Sequence, residues 1–297
     1  MGTLTDDPLV HLNGEMLPLS QARVSVLDRG FIFGDGVYEV LPVYARRPFR
    51  LAQHLARLRA SLAETRIRDP YTPAQWEALF GSVIAANPWD DQSLYLQVTR
   101  GVARRDHAFP ADAVPTVFVM VNPLAGPSPE QRARGVAAVT MEDNRWLRCN
   151  VKSVSLIGNV LLRQDAVERD AVEAILLRDG WLTEGSSTNV FIVREGVIAA
   201  PPKSRLILPG ITYDVVVELA RANGIRLELR PVAAQELRSA DEVWLASSIK
   251  ELLAVTELDG KPVGRGAHVG LPGPVLGRMH ALFQEIKASY ARMPAHA

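Results

Sequence analysis

Arg145-Trp146-Leu147-Arg148-Cys149-Asn150-Val151-Lys152-Ser153 contains the first lysine of a 297-residue chain. Of 33 basic residues only five are lysine (Lys152, Lys203, Lys250, Lys261 and Lys287), so chemistry that needs an amine nucleophile has few candidates. Branched and aromatic residues surround Lys152. A lysine so placed tends to a lowered pKa, which suits Schiff-base chemistry. The same surroundings also fit a lysine whose stem is covered and whose ammonium reaches solvent. Upstream, residues 136–141 read as a strand, and downstream a helix is expected over roughly 156–169.

Working outward from there, the chain alternates short strands and helices. Towards the N-terminus, residues 10–12 and 16–19 flank Asn13-Gly14, a hairpin turn signal. Residues 37–44 continue as strand, with Tyr38 and Val40 on one face and Val37 and Glu39 on the other. Leu51, Leu55, Leu58 and Leu62 form the apolar stripe of a helix. Thr72-Pro73 reads as a second helix start, with the threonine as cap. Strands are expected at 94–99 and 116–121, with a polar loop over 101–115. Towards the C-terminus, strands at 174–177, 181–183 and 190–193 are punctuated by Asp179-Gly180 and Glu195-Gly196. Pro209-Gly210 opens a helix over 211–222, closed by Asn223-Gly224. Strands at 226–229 and 242–246 and a last helix near 275–289 complete an α+β chain. Three prolines and a glycine within 122–134 mark the expected linker. It separates an N-terminal α/β domain, 1–121, from a C-terminal domain, 135–297.

Composition excludes several classes of function. The 33 basic and 33 acidic residues cancel, which argues against a general nucleic-acid or membrane-surface binder. No apolar run approaches the ~18 residues of a membrane span. Residues 1–8 are polar and acidic, without the pattern of a secretory signal. The single cysteine, Cys149, excludes an intrachain disulfide and fits a reducing compartment, so a cytoplasmic location is expected. The six histidines show no His-x-x-x-His spacing, so no metal site is expected.

Several short segments could carry chemistry. Asp28-Arg29-Gly30-Phe31-Ile32-Phe33-Gly34-Asp35-Gly36 is neither a dinucleotide fingerprint nor a calcium loop, and reads as a tight turn into a strand. His54 and Arg57 share a helix face, where the arginine is either a surface residue or a phosphate ligand. In an extended loop Arg105 and His107 would point the same way and could trap a carboxylate. Thr183-Glu184-Gly185-Ser186-Ser187-Thr188-Asn189 is a hydroxyl-rich turn, where Glu184 could face a protonated ring nitrogen. The free amides of Ile211 and Thr212 at a helix start, with the Thr212 hydroxyl, could hold an anion. Ser247 and Ser248 could add hydroxyl donors.

Taken in order, these segments resemble the fold-type IV pyridoxal-phosphate (PLP) enzymes, and within them the D-amino-acid aminotransferase branch. The matching runs are Asp28 to Val40, His54-x-x-Arg57-Leu58, Gln97-Val-Thr-Arg-Gly101, Arg105-x-His107-x-Phe109-Pro110, Arg145 to Cys149, Lys152-Ser153, Thr183 to Ser187, Asn189-Val-Phe191 and Gly210-Ile-Thr212. They span nearly the whole chain. The resemblance implies a two-domain fold with the active site between the domains. It implies that Lys152 holds PLP as a Schiff base and shuttles the proton between substrate Cα and cofactor C4′. Glu184 would face the pyridine nitrogen, and Leu208 would pack against the ring. Arg57, Ile211, Thr212 and Ser247 or Ser248 would bind the phosphate. Tyr38, Arg105 and His107 would bind the substrate carboxylate, with Val40 lining the side-chain pocket. Arg105 and His107 would come from the neighbouring subunit, so a homodimer is implied. The implied reaction is ping-pong transfer from D-alanine to 2-oxoglutarate, giving pyruvate and D-glutamate. Alternatives on the same fold are an aminodeoxychorismate lyase, an (R)-amine transaminase or a branched-chain aminotransferase. Ala246-Ser247-Ser248-Ile249 departs from the family's usual Thr-Ser-Thr-Thr, and neither Lys250 nor Cys149 has an implied role.

Overall fold

The computed structural model describes residues 7–292. Most of the polar N-terminal stretch therefore lies outside the described residues. The chain forms two compact units, Met1–Ala125 with Val151–Leu156, and Gly126–Asn150 with Ile157–Ala297.

In the first unit, β1 (Leu9–Leu12) and β2 (Glu15–Pro18) form the expected hairpin. Asn13 and Gly14 both take positive φ, 51° and 97°, as a two-residue hairpin turn of this hand requires. The glycine-rich segment forms a short helix, α1 (Arg29–Phe33), not only a turn. Asp28 caps it, and Gly34 ends it in the left-handed region at φ 65°. There follow β3 (Gly36–Tyr44), β4 (Arg47–Pro48), α2 (Leu51–Thr65), α3 (Pro73–Ala85), β5 (Gln92–Thr99) and β6 (Thr116–Pro123). Thr72 and Gln75 form a reciprocal cap at the start of α3. The strands make one antiparallel sheet in the order β2-β1-β6-β5-β3-β4.

Period-two alternation decides which face of this sheet is covered. Val37, Leu41, Val43, Leu94, Leu96, Val98, Val117, Val119 and Val121 all enter the core, together with Leu55, Leu58 and Leu62 of α2 and Trp76, Phe80, Val83 and Ile84 of α3. Each fully buried leucine contributes about 1.5–3 kcal/mol. Tyr38, Val40, Tyr95, Gln97, Phe118 and Met120 lie on the opposite, half-buried face.

The expected linker over 122–134 is much shorter in the structure. β6 runs through Pro123, and a helix, α4 (Pro129–Arg134), begins inside the segment. Pro129 occupies the first turn of α4 behind a Ser128–Gln131 capping box, so a residue read as a breaker starts a helix. The domain boundary also differs, because Val151–Leu156 returns to the first unit.

The second unit continues with β7 (Val136–Glu142), α5 (Ile157–Val167), β8 (Glu173–Arg178), β9 (Trp181–Gly185), β10 (Asn189–Arg194), β11 (Val197–Ala200), α6 (Ile211–Ala222), β12 (Leu227–Leu229), α7 (Ala234–Arg238), β13 (Glu242–Ser247), β14 (Glu251–Leu258), β15 (Lys261–Pro262) and α8 (Pro274–Arg292). Its sheet runs β12-β11-β10-β13-β14-β7-β8-β9, with β15 on β14. The β7–β8, β7–β14 and β11–β12 pairs are parallel. α5 and α6 therefore serve as crossover helices between parallel strands. Leu162 and Ala166 of α5 pack on Ala174 and Leu176 of β8. Among the described residues, no helix is long and apolar enough to cross a membrane.

Candidate active site

In the first unit, Lys152 sits where Val151–Leu156 runs beside the start of β3. Its carbonyl accepts from the Tyr38 amide at 2.9 Å, and the Val154 amide donates to the Gly36 carbonyl at 3.0 Å. Its own amide donates to Ser61 Oγ on α2 at 3.2 Å. The lysine backbone is thus tied to a strand and a helix. Its Nζ lies 4.1 Å from the centroid of the Tyr38 ring, within cation–π range. Tyr38 and Val40 are on the same half-buried face, as their alternation predicts. The neighbouring strand adds two residues to which the motifs assign no role. Tyr95 lies opposite Val40 and Gln97 opposite Tyr38. The Tyr38 and Tyr95 rings are 5.8 Å apart, and the Tyr95 hydroxyl donates to Gln97 Oε1 at 2.7 Å. Burial, with a smaller effect from Tyr38, pushes the Tyr95 phenol up to about 12, so it remains a hydroxyl donor at neutral pH.

Behind this face lies Glu39, 1% exposed. Its two oxygens accept from Arg57 Nε and Nη2, both at 2.8 Å, and His54 Nδ1 lies 2.8 Å from Oε2. Burial opposes ionisation of this carboxyl, but Arg57 and His54 overcome it and hold it well below the usual carboxylate range. Burial lowers the His54 pKa against the pull of Glu39. A neutral His54 donates from Nδ1, and the buried Nε2, which has no partner among the described residues, is then only an acceptor. His54 and Arg57 are therefore not a surface pair. The carboxylate that gathers them lies 15 and 18 residues away in the chain.

Arg105 and His107 both lie against Phe33 of α1, with the Arg105 guanidinium carbon 5.5 Å from the ring centroid and the imidazole centroid 5.3 Å from it. Both side chains are exposed. The loop that carries them is held from beneath by buried Arg29, which donates to the Asp106 and Ala108 carbonyls at 2.5 and 3.3 Å. Phe109 stacks under Arg100, 3.6 Å from its guanidinium carbon.

In the second unit, Glu184 on β9 is 4% exposed. Oε1 accepts from Arg145 Nη1 at 2.8 Å, and Oε2 accepts from the Leu208 amide at 3.0 Å and Asn189 Nδ2 at 3.2 Å. Asn189 Nδ2 also donates to the Leu208 carbonyl at 3.0 Å. Arg145 is fixed in turn by Asp143, through Nε at 2.9 Å and Nη2 at 3.0 Å. Burial pushes the Glu184 carboxyl up to about 7, against the opposing effects of Arg145 and the Leu208 amide. Such a group is poised to pair with an added cation. Arg145 and Asn189 stand in segments that the sequence marks, but only the fold shows that they orient Glu184.

Ile211 and Thr212 open α6, both buried. Gly210 caps the helix without a side-chain bond, and the first-turn amides have no intrahelical acceptor. A Cβ at Gly210 would overlap Asn189 Oδ1, so only glycine allows this approach. Ser247 ends β13, and its Oγ accepts from the Lys250 amide at 3.1 Å. Ser248 follows in the same turn, half-buried. Among the described residues, no cluster of three or more His, Cys, Asp or Glu side chains is placed to hold a metal ion.

Known proteins resemble this chain in sequence and architecture. The family model for amino-transferase class IV matches residues 36–258. D-alanine aminotransferase from Bacillus licheniformis is 42% identical over 275 residues, covering 93% of this chain and 95% of that protein. The D-alanine aminotransferase of Listeria innocua is 38% identical, with the same coverage. Among solved structures, the branched-chain amino acid aminotransferase of Escherichia coli superposes with a TM-score of 0.87 at 25% identity, covering 95% of each chain. A second branched-chain amino acid aminotransferase, from Thermoproteus uzoniensis and solved with norvaline, gives 0.85 at 25% identity, covering 96% of each chain. Lys152 held beside β3, a buried Glu184 and a family match over most of the chain lead to one assignment: the chain belongs to the class IV aminotransferases.

Proposed function

We propose that this chain is a PLP-dependent D-amino-acid transaminase, moving the amino group of D-alanine to 2-oxoglutarate to give pyruvate and D-glutamate. The donor set fits the cofactor. Glu184 is a buried carboxylate able to take a cationic ring nitrogen, and the start of α6, which has no side-chain cap, offers amides to a phosphate. When bound, PLP supplies an electron sink for the bonding pair left at the substrate α-carbon.

The chain's own residues supply the rest. Lys152 Nζ takes the α-proton, and its backbone anchors keep the amine in place as the proton moves. Glu184, oriented by Arg145 and Asn189, keeps the ring nitrogen protonated. Arg57, Ile211, Thr212 and Ser247 or Ser248 would hold the phosphate, and Leu208 would pack against the ring. Tyr38, Arg105 and His107 bind the α-carboxylate, and Val40 lines the side-chain pocket. In this reading Arg105 and His107 act from the partner subunit of a homodimer. Val26, Phe31 and Val114 of the first unit are 70%, 75% and 70% exposed, apolar side chains of the kind a second copy would cover. A buried, free Cys149 fits a cytoplasmic location.

The D-specific reading is supported by Arg105 and His107, two carboxylate donors from one loop that both lie against the Phe33 ring. A panel of donors (D-alanine, L-leucine, (R)-1-phenylethylamine and aminodeoxychorismate) with 2-oxoglutarate and enantiomer-resolved products tests it. D-alanine should lead the panel and D-glutamate should form. Preferential use of L-leucine would replace the reading with branched-chain transamination.

A further inference from the structure

Glu173 opens β8 with its side chain fully buried. Oε1 accepts from the Ser186 amide and the Ala174 amide, each at 3.1 Å, and from the Ser186 hydroxyl. Oε2 accepts from Ser187 Oγ at 2.9 Å, Thr188 Oγ1 at 3.0 Å and Lys250 Nζ at 3.3 Å. A whole turn, 186–188, is folded over one carboxylate. Gly185 completes it: a Cβ there would overlap Thr188 Oγ1 and come within 3.1 Å of Glu173 Cδ. This turn joins Glu184 at the end of β9 to Asn189 at the start of β10.

Lys250 arrives from the other direction, in the turn between β13 and β14. Its amide caps Ser247 Oγ, and its Nζ reaches Ser187 Oγ at 3.4 Å as well as Glu173. One ion pair, spanning 77 residues of chain, therefore ties the hydroxyl-bearing turn 186–188 to the hydroxyl-bearing turn 247–250. A buried carboxylate without a cation would be costly, and Lys250 is the cation supplied.

We propose that Glu173 and Lys250 are a positioning pair that sets the spacing of these two turns, and through it the hold on the cofactor's phosphate. The inference rests on the proposed function. Neither residue touches the reacting atoms; they act through Ser187, Ser247 and Ser248.

The test compares PLP with pyridoxal, which lacks the phosphate, by titration into cofactor-free wild type, Lys250→Met, Lys250→Arg and Glu173→Gln, read by visible absorbance. Lys250→Met should weaken PLP by about tenfold, the loss of one charged hydrogen bond, and leave pyridoxal unchanged. Lys250→Arg should restore most of the PLP affinity. Glu173→Gln should act in the same direction, and the Glu173→Gln/Lys250→Met double variant should be less impaired than the product of the two effects. If Glu173→Gln does not fold, the two Lys250 variants decide alone. Equal weakening of PLP and pyridoxal, or unchanged PLP affinity, overturns the inference while the function stands. A wild-type chain that takes up neither ligand overturns both.

Discussion

Glu39→Gln keeps the shape of a buried side chain and removes the charge on which two others depend. Arg57 gives one N–H to each Glu39 oxygen at 2.8 Å, and its side chain is 7% exposed. An amide offers one oxygen and turns its NH2 group towards a guanidinium donor, leaving an N–H without its acceptor. Breaking a buried pair from one side costs about 3–5 kcal/mol. In a unit of about 130 residues, each kcal/mol moves Tm by roughly 2–8 °C. A drop of about 6–40 °C is expected in thermal melts of the cofactor-free chain followed by circular dichroism. The pH dependence has a definite sign. The Glu39 carboxyl is held below its ordinary 4.5, so its contribution is present above pH 4.5 and lost as pH falls towards the folded value. The lowered His54 pKa acts in the same direction, its contribution present above 6.5 and lost on acidification. Wild type should lose stability below pH 6.5, and its advantage over Glu39→Gln should shrink below pH 4.5. A drop under about 2 °C at pH 7, or a gap that does not change with pH, would refute the reasoning.

Three further outcomes are expected. Lys152→Ala should abolish amino transfer and the visible absorbance of lysine-bound PLP, and full activity in that variant would remove the assigned base. Arg105→Ala should raise KM for D-alanine by about 10–100-fold, the loss of a charged hydrogen bond, while transfer from (R)-1-phenylethylamine is spared; equal losses on both donors would point to a loop defect instead. Glu184, whose carboxyl ionises near 7 and not at 4.5, has a contribution to the cofactor-free fold that is whole below pH 4.5 and lost as pH rises through 7. At about 1.4 kcal/mol per pKa unit, the stability of Glu184→Gln relative to wild type should rise by about 3 kcal/mol between pH 4.5 and 8 in urea melts. Parallel curves would contradict the burial argument.

Much of the fold is legible in the residues alone. The leucine stripe of α2, the Asn13-Gly14 hairpin and the alternation of β3 depend on neighbours within a few residues, and the structure keeps them. β14 is harder to see. Most of its residues from Glu251 to Leu258 are buried, so it shows no polar–apolar alternation, and a two-sided interior strand gives little periodic signal. The prolines of 122–134 mislead for another reason: proline ends helices from within but begins them well. The candidate site divides in the same way. Lys152, Glu184 and Arg57 stand in recognisable runs. Their partners lie far along the chain and require packed elements to be found. Arg145 reaches Glu184 across 39 positions, and Glu39 reaches Arg57 across 18.

The return of Val151–Leu156 to the first unit has a consequence for biosynthesis. The chain leaves that unit after Ala125, lays down β7 and the segment to Asn150, and only then supplies the stretch that lies beside β3. During synthesis, which generally completes N-terminal domains first, this one cannot close until residue 156 has emerged. By then the opening segment of its neighbour is already outside the ribosome. A fragment ending at Ala125 would expose the start of β3, with the Tyr38 amide deprived of its acceptor and the Gly36 carbonyl of its donor. Lys152 is thus both the proposed proton carrier and part of the last piece to close the first fold.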